Sequence, residues 1–258
     1  MCYDKPLINR PAFLDSGDIA FVFPQAMQEK SDEIALGHQL ICKRRLFGAV
    51  YREFLPKFFD NMPPDSGVMI GAFVPTDKVL PGVLFPGDID LLIIPYASDR
   101  LLLSMTLAIE LKVVRATYAR QGRSPNQYGF SQANALLRCG FPYAGVAHLI
   151  VSDESPEDAW RDVYETTIVD EMGRCSPLRT VSKDMMPSAL INRSFGRLRS
   201  NCSSDELGYV SVYIANEGIW DPCGRQATHN PDASEETMSA VGDFYELNAH
   251  KFLDTRRY

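Results

Sequence analysis

Phe85-Pro86-Gly87-Asp88-Ile89-Asp90-Leu91-Leu92-Ile93-Ile94 and Leu107-Ala108-Ile109-Glu110-Leu111-Lys112-Val113-Val114 decide how this chain is read. Both runs have the apolar density of buried strands, yet each carries charge at alternate positions. Successive strand side chains point to opposite faces. Asp88 and Asp90 therefore share one face of the first strand, and Glu110 and Lys112 share one face of the second. Burying such groups is costly unless something pairs with them. A divalent metal ion is the usual partner of converging carboxylates.

The elements around these two strands suggest a mixed sheet. Upstream, Met27 to Phe59 has helical spacing, with Ser31 or Asp32 as a cap and Gly37 or Gly48 as a break into two helices. Asn61–Gly67 is a breaker, and Val68–Val74 reads as a strand. The short gap at Pro95–Arg100 fits a hairpin between Asp88–Ile94 and Met105–Val114. A helix then runs from Arg123–Asn126 to Arg138, ended by Gly140, and Ala144–Val151 is apolar enough to be a central strand. Further on, Pro156–Met172 and Met186–Leu198 read as helices, Tyr209–Ala215 as a strand and Met238–Leu253 as a closing helix. A short strand at Asp18–Phe23 belongs to an N-terminal extension. The division expected is an extension over 1–26, a core over 27–152, and a C-terminal α/β extension over 153–258 packed on that core.

Charge is unevenly spread. The formal net charge is −7, which argues against a general nucleic-acid coat protein. Between Leu111 and Ser152, however, there is no acidic residue, while Lys112, Arg115, Arg120, Arg123 and Arg138 are basic. That stretch follows directly on the carboxylates and reads as a surface facing a polyanion. A second basic stretch holds Arg174, Arg179, Lys183, Arg193, Arg197 and Arg199. The six cysteines are scattered without zinc-site pairing. The start of the chain lacks a signal-peptide pattern, and no apolar run approaches the ~20 residues of a membrane span. The expectation is a soluble cytoplasmic or nuclear protein that is not secreted and has no membrane partner.

Gly87-Asp88-Ile89-Asp90-Leu91-Leu92, a hairpin, and Ile109-Glu110-Leu111-Lys112 resemble the core of the PD-(D/E)XK nuclease superfamily. The likeness covers roughly residues 27–152, and its motif is short. It implies a restriction-endonuclease-like α/β fold, a central mixed sheet flanked by helices. It also implies a Mg²⁺-dependent nuclease, with Mn²⁺ able to substitute, acting on nucleic acid and on DNA in particular. Asp90 and Glu110 would hold the ion, joined by the backbone carbonyl of Leu111. Lys112 would orient or deprotonate the attacking water, or stabilise the charge that develops on the phosphoryl group. In relatives, a helix glutamine stands near the substrate phosphate; Gln132 matches it, with Gln127 as competitor. A first-helix glutamate supports the metal, a role open to Glu33 or Glu53. Asp88 is either a further ligand or the cap of the turn at Pro86-Gly87. Relatives often dimerise, so a homodimer or a protein partner is also expected. Two other readings compete. One is an inactive nuclease-fold module that binds nucleic acid or protein. The other is a nucleotidyltransferase using Asp88, Asp90 and Glu110, hinted at by Ile70-Gly71-Ala72.

Overall fold

The structure, a computed structural model, describes residues 4–11, 32–83, 87–215 and 218–257. The expected strand at Asp18–Phe23, the helix start at Met27 and the Ser31 cap lie outside these residues.

Helix α1 (Glu33–Cys42) starts where Asp32 accepts the Ala35 N–H at 2.7 Å. The chain breaks at Lys43 and resumes as α2 (Arg44–Phe54), then α3 (Pro56–Asn61). Neither glycine causes the break. Gly37 stays helical because its missing side chain lets α1 lie against the sheet: a Cβ there would come 2.8 Å from Leu111 Cδ1.

Strand β2 (Ser66–Pro75) runs antiparallel to β3 (Asp88–Ala97), and β3 runs antiparallel to β5 (Leu107–Arg115). Helix α4 (Thr76–Val79) lies in the connection between β2 and β3. Helix α5 (Phe130–Arg138) then carries the chain to β6 (Tyr143–Val151), which is parallel to β5 as a strand–helix–strand crossover requires. A second crossover through α6 (Met186–Asn201) places β9 (Gly208–Tyr213) parallel to β6. Strand β10 (Cys223–Arg225) borders β9, and β11 (Phe252–Arg256) borders β2. Two short strands, β1 (Asp4–Pro6) and β4 (Arg100–Leu102), extend the sheet beside the end of β3.

The molecule is thus a mixed sheet of nine described strands with helices on both faces. Leu91, Ile93, Ile109 and Leu111 pack with α1 and α2. Leu92, Ile94, Ala108 and Val146 pack with α5, α6 and α7 (Glu235–Asn248) on the other face.

Three expectations need correction. The segment 156–172 is not a helix: β7 (Arg161–Glu165) and β8 (Arg179–Lys183) form a separate hairpin. Its Val163-Tyr164 and Thr166–Val169 are residue types that favour strands. The helix expected from Arg123 begins only at Phe130, because Gly129 sits at φ +87°, outside helical space. The closing helix stops at Asn248, and Phe252–Arg256 adds an edge strand instead. Strands β9, β10 and β11 of the same sheet all come from the segment after Asp153.

Candidate active site at a fork between two strands

Strands β3 and β5 pair only through Leu91–Ile109, Leu92–Ala108 and Ile93–Leu107. Continued by one step, the register would set Asp90 opposite Glu110, and there the ladder stops. The Leu111 N–H is instead accepted by Asp90 Oδ2 at 2.7 Å, so a carboxylate takes the place of a β3 backbone carbonyl. On the other side of Asp90 the pairing skips as well. Phe73 sits at φ +51°, and the Phe73–Asp90 pair is missing from a β2–β3 register that continues unchanged from Ala72–Leu91 to Val74–Ile89. Irregular, costly backbone of this kind persists where its surroundings hold it, and it clusters at functional sites.

Glu110 is 1% exposed and Asp90 8%, so both carboxyls are inside the protein. Lys112 Nζ contacts Glu110 Oε1 at 2.5 Å and lies 3.6 Å from Glu33 Oε2. Glu33 stands in the first turn of α1, on the opposite helical layer. The fork therefore gathers Asp90, Glu110, Lys112 and Glu33.

The electrostatics follow from this crowding. Burial, and then the charge of Glu110, push the Asp90 carboxyl up to about 7. Burial also raises Glu110, against the pull of Lys112. Burial works against the Lys112 ammonium, yet Glu110, Glu33 and Asp90 outweigh it and keep its pKa above the ordinary lysine value. Its acidic neighbours thus favour the charged form of Lys112. Two buried carboxyls that resist joint ionisation are the donor set a hard divalent ion would satisfy. The Leu111 carbonyl would join that set, because a strand residue directs its N–H and C=O to the same edge. The set is two side chains and one backbone oxygen: among the described residues, no three His, Cys, Asp or Glu side chains form a metal cluster.

A polar row backs the fork. Lys112 pairs with His148 on β6, and His148 pairs with Ser211 on β9. The Tyr128 carbonyl can only accept, so His148 Nε2 carries the hydrogen it donates there at 3.3 Å. The Ser194 hydroxyl faces Nδ1 at 3.1 Å. Burial drives the imidazole pKa down to about 4, so His148 is neutral. The Tyr128 carbonyl it holds precedes Gly129, whose Cβ position lies 3.1 Å from Glu110 Cγ and 3.3 Å from Lys112 Cγ. Only glycine lets this loop press so closely on the pair.

Outside lies a cavity of about 640 Å³ lined by Glu33, Lys112, Arg115, Arg123, Asn126 and Gln127, among others. The second basic stretch reaches the same rim. Arg193 donates to the Gln121 side chain at 2.8 Å, and Arg197 donates to the Arg123 carbonyl at 2.7 Å.

Other expected residues lie apart. Gln132 is half-buried on α5 and does not line this cavity, whereas Gln127 does. Asp88 is exposed at the first position of β3. Glu53 is held by the Gly224 backbone on β10. Gly71 and Ala72 lie inside paired β2 rather than in a turn, which removes the main hint of a nucleotidyltransferase. Sequence reasoning missed Gly129 and the His148–Tyr128 contact. A glycine just before an amphipathic helix was the available signal for the first.

No described helix is long and apolar enough to cross a membrane. No protein-family model, curated protein or solved structure matches the chain.

Proposed function

We propose that this chain is a metal-dependent nuclease of the restriction-endonuclease-like type, hydrolysing phosphodiester bonds in nucleic acid, with DNA favoured by the family likeness. The observation that carries the reading is the fork itself. The β3–β5 ladder is given up at the position where two buried carboxyls and a lysine meet, beside a basic cavity.

Asp90, Glu110 and the Leu111 carbonyl would hold Mg²⁺ or Mn²⁺. Such an ion supplies a nucleophilic water at neutral pH and offsets charge on the phosphoryl group. Lys112, beside that ion, would orient or deprotonate the water, or stabilise the developing phosphoryl charge. Glu33 fixes the Lys112 ammonium from the other side. Arg115 and Arg123 bind flanking phosphates, and Gln127 takes the place first considered for Gln132.

The closed Lys112–Glu110 contact favours a second reading, a nucleic-acid-binding module in which the pair is a structural ion bridge. One assay separates the two. Linear, circular and single-stranded DNA, and RNA, are incubated with the protein in Mg²⁺ or Mn²⁺, beside Glu110→Ala and Lys112→Ala. The nuclease reading expects metal-dependent cleavage of at least one substrate, lowered by about 100-fold or more in each variant. Binding without cleavage, unchanged in both variants, supports the module.

A further inference from the structure

A second charged cavity lies at the other end of the sheet. Helix α2 opens on Lys43, Arg44 and Arg45, with no acidic residue in its first turn and no side-chain cap. Lys43 donates to the Ala215 carbonyl and stands outside the lining, while Arg44 donates to the Arg256 carbonyl on β11. One turn on, Gly48 and Ala49 leave a gap in the helix surface, and Arg52 follows a turn later. Across the gap stand Thr255, Arg256 and Arg257.

These residues enclose a cavity of about 730 Å³, with Phe59, Met62 and Val68 supplying apolar wall. Five arginines line it and no acidic residue does. Arg257 is fixed by donating to the Phe59 carbonyl at 2.9 Å and to the Met62 carbonyl, with its guanidinium 6.0 Å from the Phe59 ring centroid. Those bonds hold its position and leave its charge in place. Arg52 and Arg256 reach Asp60 and Asp254, which stand outside the lining. Gly67, on this wall, pairs with Tyr96, six residues along β3 from Asp90. At the rise of an extended strand that is about 20 Å from the fork, so the two sites are separate.

We propose that this cavity binds a small phosphate ester with an apolar or aromatic body. Arginine, with its planar fork, suits paired recognition of phosphate oxygens. The volume matches small-molecule sites, and the apolar wall beside Arg257 suits a body rather than a bare ion. A nucleotide and an alkyl phosphate share this chemistry, and the test distinguishes them.

Calorimetric titration of the full chain with ATP, decyl phosphate and decanoate decides. The expected result is saturable binding of ATP or decyl phosphate with Kd below about 100 µM. Whichever of the two binds names the source. Gly48→Trp places an indole in the cavity from a position where a Cβ meets nothing within 4 Å, and Arg45→Glu reverses one exposed charge. Each should weaken binding by about tenfold or more. Lys112→Ala at the fork should leave it unchanged. Four outcomes overturn the proposal: no binding of either ester up to about 1 mM, affinity unchanged in Gly48→Trp and Arg45→Glu, decanoate binding as tightly as decyl phosphate, or loss of binding in Lys112→Ala.

Discussion

Strands β3 and β5 behave as one ladder for three residue pairs and as two separate strands immediately afterwards. In the paired half, Leu91, Leu92, Ile93, Leu107 and Ala108 are each 0% exposed and wholly apolar. In the open half, Asp90, Glu110 and Lys112 replace them, and the Leu111 N–H turns to a carboxylate. The same two strands, a few ångströms apart, thus obey and break the rule that buried strands carry no charge. Natural sequences break such rules chiefly where function requires it.

The sharpest way to break this comparison is to move a charge across it. Leu92→Asp puts an unpaired carboxylate in the closed half, where no cation waits, and should cost about 4 kcal/mol or more. Denaturant melts would show a largely unfolded chain, whereas Glu110→Gln in the open half should fold normally. Equal tolerance of both would mean that the two halves do not differ.

A smaller effect tests the polar row behind the fork. His148 is held neutral with its pKa near 4, against an ordinary 6.5. Its folded-state value is depressed, so its contribution is complete above pH 6.5 and is lost as pH falls through the interval to 4. The loss amounts to about 3 kcal/mol. His148→Gln does not titrate and should flatten that part of the stability–pH curve, even though the variant starts lower. A slope unchanged by the substitution would remove His148 from the account.

The smallest effect has the opposite sign. Asp90→Asn keeps an acceptor for the Leu111 N–H while removing one of two crowded buried carboxyls. In metal-free buffer at pH 8 it should raise stability by about 1 to 2 kcal/mol. Destabilisation would mean that the carboxylate serves the fold and not a ligand.

Much of this was legible in the sequence because it rests on alternation. The charges on the two strands, the apolar Ala144–Val151 run as a central strand and the helix near Met186 all follow from local pattern. What was not legible depends on partners distant in sequence. Gly37 looked like a helix breaker, but it marks the closest approach of α1 to Leu111. Gln132 was the expected glutamine, with Gln127 as competitor, but the left-handed Gly129 delays the helix and leaves Gln127 on the cavity wall. The 156–172 segment reads as a helix only if the strand preference of its β-branched residues is left aside. Edge strand β11 was hidden within what looked like the end of a helix. Nothing local in the second basic stretch shows that the fold sets Arg193 and Arg197 beside Gln121 and Arg123.

On the proposed function, the open half of β3–β5 holds a divalent ion. Titrating Mn²⁺ into the metal-free protein, with free Mn²⁺ followed by electron paramagnetic resonance, tests it most directly. The expected result is saturable uptake by the wild-type chain that is abolished in the Asp90→Asn, Glu110→Gln double variant. Uptake that is absent, or equal in the two proteins, would contradict it.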